Sequence, residues 1–262
     1  MLVRAGGIRQ STGPLAALAF GMRIELGSLS GLHAAATRRD FLRLIGVGGV
    51  LVLLPGFASA CSSDDVTGLP ASGEPFVIDF ATGDPAILQL AYVLEQLEAD
   101  LYDRVVAAFP QSNFTATEQA LLADIRNHEA IHRAFLQATL GTPLALAVTP
   151  AYSGLPFTDR AKVLAFAKQV EDLGIAMYNG VAQYVASSVT LTVLAKIAAV
   201  EGRHASAIGD LLTPRTDGFA PRPTDDLFRP DTVGAAVQSN LVEKIGFVNL
   251  PPIFIDGPNN NG

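Results

Sequence analysis

Two Glu-x-x-His pairs, Glu129/His132 and Glu201/His204, each lie in a stretch whose apolar spacing reads as helix. Residues three apart on a helix project about 60° apart, so each pair offers a carboxylate and an imidazole from one face. Upstream of each pair, another helix-like stretch carries a Glu followed seven residues later by a Tyr: Glu95 with Tyr102, and Glu171 with Tyr178. The order Glu, Glu-x-x-His, Glu, Glu-x-x-His is the donor inventory of a dinuclear metal site inside a four-helix bundle. A chain of this composition would hold on the order of 0.1 Glu-x-x-His by chance. The two present use two of the three histidines beyond residue 60.

A single such pair would fit a solvated helix face. Here the neighbours are apolar: Ile131, Ala134 and Phe135 around the first pair, Val200, Ala205 and Ile208 around the second. A bundle does not bury four carboxylates without compensation. Two divalent cations would neutralise Glu95, Glu129, Glu171 and Glu201, with His132 and His204 binding as neutral imidazoles. Oxygen donors with imidazole suit iron or manganese, with zinc as an adventitious occupant.

Glu98 competes with Glu95 for the first-helix role. Glu95 is preferred because its spacing to Tyr102 repeats that of Glu171 to Tyr178. Seven residues is close to two turns, so each Tyr lies on the stripe of its Glu. There its phenol can hydrogen-bond a ligand carboxylate, as Glu98 can also support the set from outside it. Ordinary core packing is the alternative for both tyrosines. His128 projects about 100° from Glu129 and reads as a surface residue. Asp100 and Asp172 read as solvated or pairing charges, and Gly174 and Gly180 as points of close helix approach.

The elements that must carry these residues are legible. Asp84-Pro85 pairs a capping residue with Pro at the first helical position, and Pro110 ends that helix. Thr115-Ala-Thr-Glu118 is a capping box opening a second helix that stops at Gly141. Residues 141–157, with Pro143, Pro150, Gly154 and Pro156, read as a long connection. A third helix is expected from Thr158-Asp159 to about Ala186, and a fourth from about Thr190 to Leu212. Short, long and short connections give two antiparallel pairs joined by one crossover: an all-α four-helix bundle over residues 84–212. The pairs form a weak internal repeat. Residues 213–262 read as a C-terminal extension, a wrap or tail with one short helix near Thr232–Val242.

The first sixty residues read as an export signal. Arg38-Arg39-Asp40-Phe41-Leu42 resembles a bacterial twin-arginine signal and implies the twin-arginine export machinery as a partner. The apolar run Leu44–Ala60 is broken by Pro55 and, at about 17 residues, is short for a spanning helix. An N-terminal membrane anchor is the alternative. Met22 offers a second start that would give the signal a more usual basic region. Ala58-Ser59-Ala60 suits an ordinary signal peptidase. Ending at Cys61, it also resembles a lipobox, with Ala58 where leucine is usual, and implies a lipid anchor on Cys61. Residues 61–83 then form a flexible tether, and the protein is placed in the periplasm or cell envelope.

Beyond residue 60 the chain holds 12 basic and 23 acidic residues, a net charge of −11. Such a surface repels nucleic acid. With no Cys beyond position 61, internal disulfides, Cys-ligated zinc and iron–sulfur centres are excluded.

The stretches Leu94–Tyr102, Glu129/His132, Phe166–Gly180 and Ala199–Ala205 resemble the ferritin-like di-iron carboxylate superfamily, in particular exported bacterial proteins with a ferritin-like domain. The resemblance covers roughly residues 84–212. It implies that Glu129 and Glu201 bridge two iron or manganese ions, that His132 and His204 each bind one ion, and that Glu95 and Glu171 are terminal ligands. It also implies a redox-active protein, acting on oxygen, peroxide or ferrous iron. Lacking a Cys-x-x-Cys pair, the chain would need an external electron donor, and the lipid tether and long tail argue against a closed storage cage. A non-enzymatic envelope scaffold or binding protein is the competing reading. A hydrolytic di-metal site is a third, without a serine or base placed by motif.

Overall fold

The computed structural model describes residues 75–252 and 254–255. The signal segment with Arg38 and Arg39, the lipidation candidate Cys61 and the tether up to residue 74 lie outside the described residues.

Four long helices form the bundle: α1 Asp84–Ala107, α2 Ala116–Leu140, α3 Arg160–Ala182 and α4 Ser188–Leu212. They agree with the expected all-α bundle of two helix pairs. α1 packs mainly on α2, α3 mainly on α4, and α1 and α3 face each other. α1 is the most enclosed. Leu90, Leu94, Leu97, Leu101 and Val105 are all at most 1% exposed and face the shared core.

Local chemistry starts each helix. Pro85 lies in the first turn of α1, but the cap is Gly83, and Asp84, expected as the capping residue, is the first helical residue with its carboxylate turned to Ala186 and Ser187. Thr115 and Glu118 close both halves of the capping box on α2. Asp159 and Ser187 cap α3 and α4 through their side chains. Glu118 does more than cap: it accepts from Arg160 Nη2 at 2.5 Å, and Arg160 also reaches the Leu211 carbonyl at 3.1 Å. One ion pair thus joins the start of α2, the start of α3 and the end of α4.

The crossover of residues 141–157 is stapled onto α1. Gln89 donates to the Leu144 carbonyl, and Gln96 donates to the Leu146 carbonyl while accepting from the Val148 amide. The Tyr152 hydroxyl donates to the Leu97 carbonyl at 2.6 Å. α1 therefore reaches the long connection through polar side chains and keeps its apolar stripe for the bundle.

α3 ends at Ala182, short of the expected Ala186. The chain beyond it turns toward Asp84, whose carboxylate accepts from the amides of Ala186 and Ser187 at 2.8 and 3.1 Å. The tether expected to run to Gly83 also ends early. Phe76–Asp79 is a strand, β1, followed by a 3-10 turn at Phe80–Thr82, and Phe76, Ile78 and Phe80 are buried. Its partner comes from the far end of the chain: β2, Ile245–Val248, pairs with it in parallel, Phe76 opposite Ile245.

The C-terminal extension wraps the bundle. A short helix α5 spans Pro230–Gln238, ending before the expected Val242, and Leu241 beyond it pairs across the chain with Pro150. Before α5, the Phe228 amide donates to the Ala176 carbonyl on α3 at 2.8 Å. Gly180 gives the backbone of Phe228 room to lie against α3, so its close approach is to the extension and not to another helix.

Candidate metal centre

The four helices bring Glu95, Glu129, His132, Glu171, Glu201 and His204 to one place in the core. Every one of these carboxylate side chains is fully buried, and the His132 and His204 side chains are 12% and 5% exposed. The donor atoms fall into two groups, each spanning less than 4.8 Å: Glu95, Glu129, His132 and Glu201, then Glu129, Glu171, Glu201 and His204.

Glu129 and Glu201 belong to both groups. Glu129 turns Oε2 toward His132 Nδ1 at 3.4 Å and Oε1 toward His204 Nδ1 at 2.7 Å. Glu201 turns Oε1 toward His132 Nδ1 at 2.9 Å and Oε2 toward His204 Nδ1 at 3.4 Å. Glu95 Oε2 approaches only His132 Nδ1, at 3.4 Å, and Glu171 Oε2 only His204 Nδ1, at 3.5 Å. The shared carboxylates come from the two Glu-x-x-His motifs, and the unshared ones from the helices before them.

Many of these atoms have no hydrogen bond of acceptable geometry despite the short separations. They are Glu95 Oε2, both oxygens of Glu129 and Glu201, Glu171 Oε2, and Nδ1 of His132 and His204. Buried polar atoms are almost always paired, so a cluster of unpaired donor atoms facing one volume fits a cation there. Oxygen and imidazole donors at this density match the coordination preferences of iron and manganese.

The side chains alone redistribute protons to survive burial. Burial opposes charge on His204, but the carboxylates of Glu129, Glu171 and Glu201 outweigh it and push the imidazole up to about 12. His132 is raised in the same way by Glu95, Glu129 and Glu201. Burial also acts on Glu201, yet the two histidines hold it down at about 2. Glu95, compensated only by His132, is pushed by burial up to about 8.

The tyrosines reach across the bundle. Tyr102 on α1 donates to Glu171 Oε1 on α3, and Tyr178 on α3 donates to Glu95 Oε1 on α1 at 2.5 Å. Each Tyr therefore holds the carboxylate of the opposite helix and not the Glu of its own stripe.

Glu98 stands outside both donor groups but inside the same interior. Its side chain is fully buried and both oxygens lack a partner. Burial, then repulsion by Glu201, Glu95, Glu129 and Glu171, raises its carboxyl well above the usual range. Gly174, which takes its place in the second half of the repeat, leaves the room it occupies: a Cβ there would lie 2.9 Å from Glu98 Oε1.

His128 is not the surface residue expected. It is half-buried, and its Nδ1 lies 3.0 Å from His204 Nε2 with the rings nearly coplanar. Helical projection placed it off the Glu129 stripe, but the deciding neighbour is on α4. The available signal was its rarity, one of three histidines beyond residue 60.

A four-helix bundle with paired carboxylates and histidines at its centre defines a small class of proteins. Residues 83–214 match the family model described as the ferritin-like domain, half of the chain, and the protein belongs to that family. No curated protein matches the chain. Among the described residues, no helix is long and apolar enough to cross a membrane.

Proposed function

We propose that this is an exported di-metal carboxylate protein, holding two iron or manganese ions and redox active toward oxygen, peroxide or ferrous iron. The observation that carries the reading is the set of buried, unpaired carboxylate and Nδ1 atoms, divided into two groups that share Glu129 and Glu201. In this reading Glu129 and Glu201 would be shared between the two ions, Glu95 and His132 would hold one and Glu171 and His204 the other, with Nδ1 the nitrogen each histidine turns inward.

Reduced ions bound there would supply electrons to oxygen or peroxide, or be oxidised as ferrous substrate. The chain's own contribution is placement. Glu129 and Glu201 offer one oxygen to each side. Tyr102 and Tyr178 hold the outer oxygens of Glu171 and Glu95, leaving the inner oxygen of each free to bind. The apolar turns around the cluster keep water from the four carboxylates. Reduction of peroxide would need an external electron donor, because the chain has no Cys-x-x-Cys pair. The twin-arginine-like segment and Cys61 support a lipid-anchored location in the envelope, with metal loaded before export.

Elemental analysis of protein purified from its native envelope tests the reading. About two iron or manganese ions per chain are expected, lost in Glu129→Ala/Glu201→Ala, with metal-dependent oxygen or peroxide consumption. A metal-free, normally folded wild type would overturn it.

A second reading is an envelope scaffold with a vestigial or structural site. It is favoured by the upward-shifted histidines, which let imidazolium charge compensate the carboxylates without metal. Metal binding without any consumption of oxygen or peroxide would select it.

A further inference from the structure

The internal repeat is broken beside one histidine and not the other. His128 precedes Glu129, and the matching position before Glu201 is Val200. His128 Nδ1 meets His204 Nε2 at 3.0 Å, and the two rings lie 11° from parallel with centroids 5.2 Å apart. His204 turns its other nitrogen, Nδ1, inward to Glu129, Glu171 and Glu201.

We infer that His128 is a positioning residue for His204, making the position formed by Glu171 and His204 the better organised of the two metal positions. The inference rests on the di-metal reading above. An imidazole ligates through a nitrogen without a proton, so His204 must carry its proton on Nε2 when Nδ1 binds. His128 Nδ1 is the acceptor placed to receive that proton, so the proton of His128 itself sits on Nε2. The hydrogen bond fixes the ring orientation of His204 before an ion arrives and holds the proton on Nε2 when Nδ1 binds one. By the repeat, Val200 takes the corresponding place near His132, and a valine side chain can accept no hydrogen bond. The two halves therefore bind unequally, the His204 side first.

Cobalt(II), whose visible bands report nitrogen and oxygen donors, is the probe, titrated into the metal-stripped full chain. Wild type is expected to fill in two resolved steps. His128→Phe, which keeps a ring but removes the acceptor, should weaken the tighter step on the order of 10–100-fold and leave the weaker step unchanged. His128→Gln, whose amide oxygen can accept from Nε2, should restore most of the loss. Nitrogen-15 NMR of the metal-stripped chain adds a readout that packing alone would not move. The His204 Nε2 proton should be protected from exchange and coupled through the hydrogen bond to His128 Nδ1, and lost from view in His128→Phe.

Equal weakening of both steps, or of neither, in both variants overturns the proposal. A wild type that binds cobalt but shows no coupling overturns the His128 pairing and leaves the di-metal reading standing. A wild type that shows the coupling but binds no cobalt overturns the di-metal reading, and with it any role for His128 in metal placement.

Discussion

Tyr178 on α3 donates its hydroxyl to Glu95 on α1 at 2.5 Å, while the Tyr that shares a stripe with Glu95 serves α3 instead. The two hydrogen bonds cross the bundle in opposite senses. Glu95 and Glu171 are thus each oriented by the other helix pair, and the separation of α1 from α3 is tied to the shape of the site.

The crossing makes a directional prediction. On the di-metal reading, Tyr102→Phe should weaken binding beside Glu171 and His204, and Tyr178→Phe binding beside Glu95 and His132, each by about tenfold. Manganese titration of metal-stripped variants, monitored by calorimetry, resolves the two. A Tyr102→Phe effect confined to the Glu95 side would contradict the crossed arrangement.

Proton bookkeeping sets a second expectation. Glu95 titrates at about 8 in the fold against an ordinary 4.5, so the native state holds a proton the unfolded chain has released. His204 at about 12 against 6.5 does the same at higher pH. Both contributions lose stability as pH rises, from about 4.5 for Glu95 and from about 6.5 for His204. Glu201, held at about 2, gives stability that is lost only as pH falls below the ordinary 4.5. The metal-stripped chain should therefore be most stable near pH 5, its melting midpoint falling toward pH 9 by about 2–4 °C per kcal/mol lost. Metal binding displaces the imidazole protons and so tightens as pH rises. Excess manganese should flatten or invert the trend in thermal melts at pH 5, 7 and 9. A midpoint that rises over this range without metal would rule out the retained protons.

What could be read from the chain, and what could not, divides by range. α1 starts in the turn of Pro85, and α2 begins and ends where the Thr115/Glu118 box and Gly141 say, because those signals act within one turn. The gathering of Glu95, Glu129, His132, Glu171, Glu201 and His204 was legible because motif spacing fixes a face and the loop lengths fix the pairing. β1 was not, since Phe76–Asp79 needs a partner strand from the other end of the chain. The end of α3 depends on Asp84 at the start of α1. The tyrosine crossing and the His128 contact were hidden for the same reason: periodicity gives the stripe a side chain stands on, never the helix it meets.

Gly174 and Glu98 form a coupled pair open to a double-mutant cycle. A Cβ at Gly174 would lie 2.9 Å from Glu98 Oε1, the end of a fully buried side chain that would have to shift within the core. Gly174→Ala in wild type should cost about 1–3 kcal/mol by overpacking. In a Glu98→Ala background the clash is gone, and the same change should gain the helix propensity of alanine, about 0.8–1 kcal/mol. Urea unfolding of the four proteins measures the coupling. Additive effects would mean that Glu98 moves aside freely and that Gly174 is not what accommodates it.

Gly180 tests the C-terminal wrap in the same terms. It sits buried on α3 directly beneath the Phe228 backbone, two positions after Tyr178. The strap is held there by the Phe228 amide on the Ala176 carbonyl and by Asn179 Nδ2 on the Asp226 carbonyl at 3.1 Å. On an open helix face, Gly→Ala would stabilise by about 1 kcal/mol. Here the added methyl collides with backbone, which cannot rotate out of the way as a side chain can. Gly180→Ala should instead destabilise by about 1–3 kcal/mol and lift the strap from α3. Hydrogen exchange reads this directly. The Phe228 amide should exchange with the bulk opening of the domain in wild type and much faster in the variant, while amides in the middle of α1 keep their protection. Unchanged protection at Phe228, with a gain in stability, would mean that the extension lies loosely on α3 and that the bundle does not depend on it there.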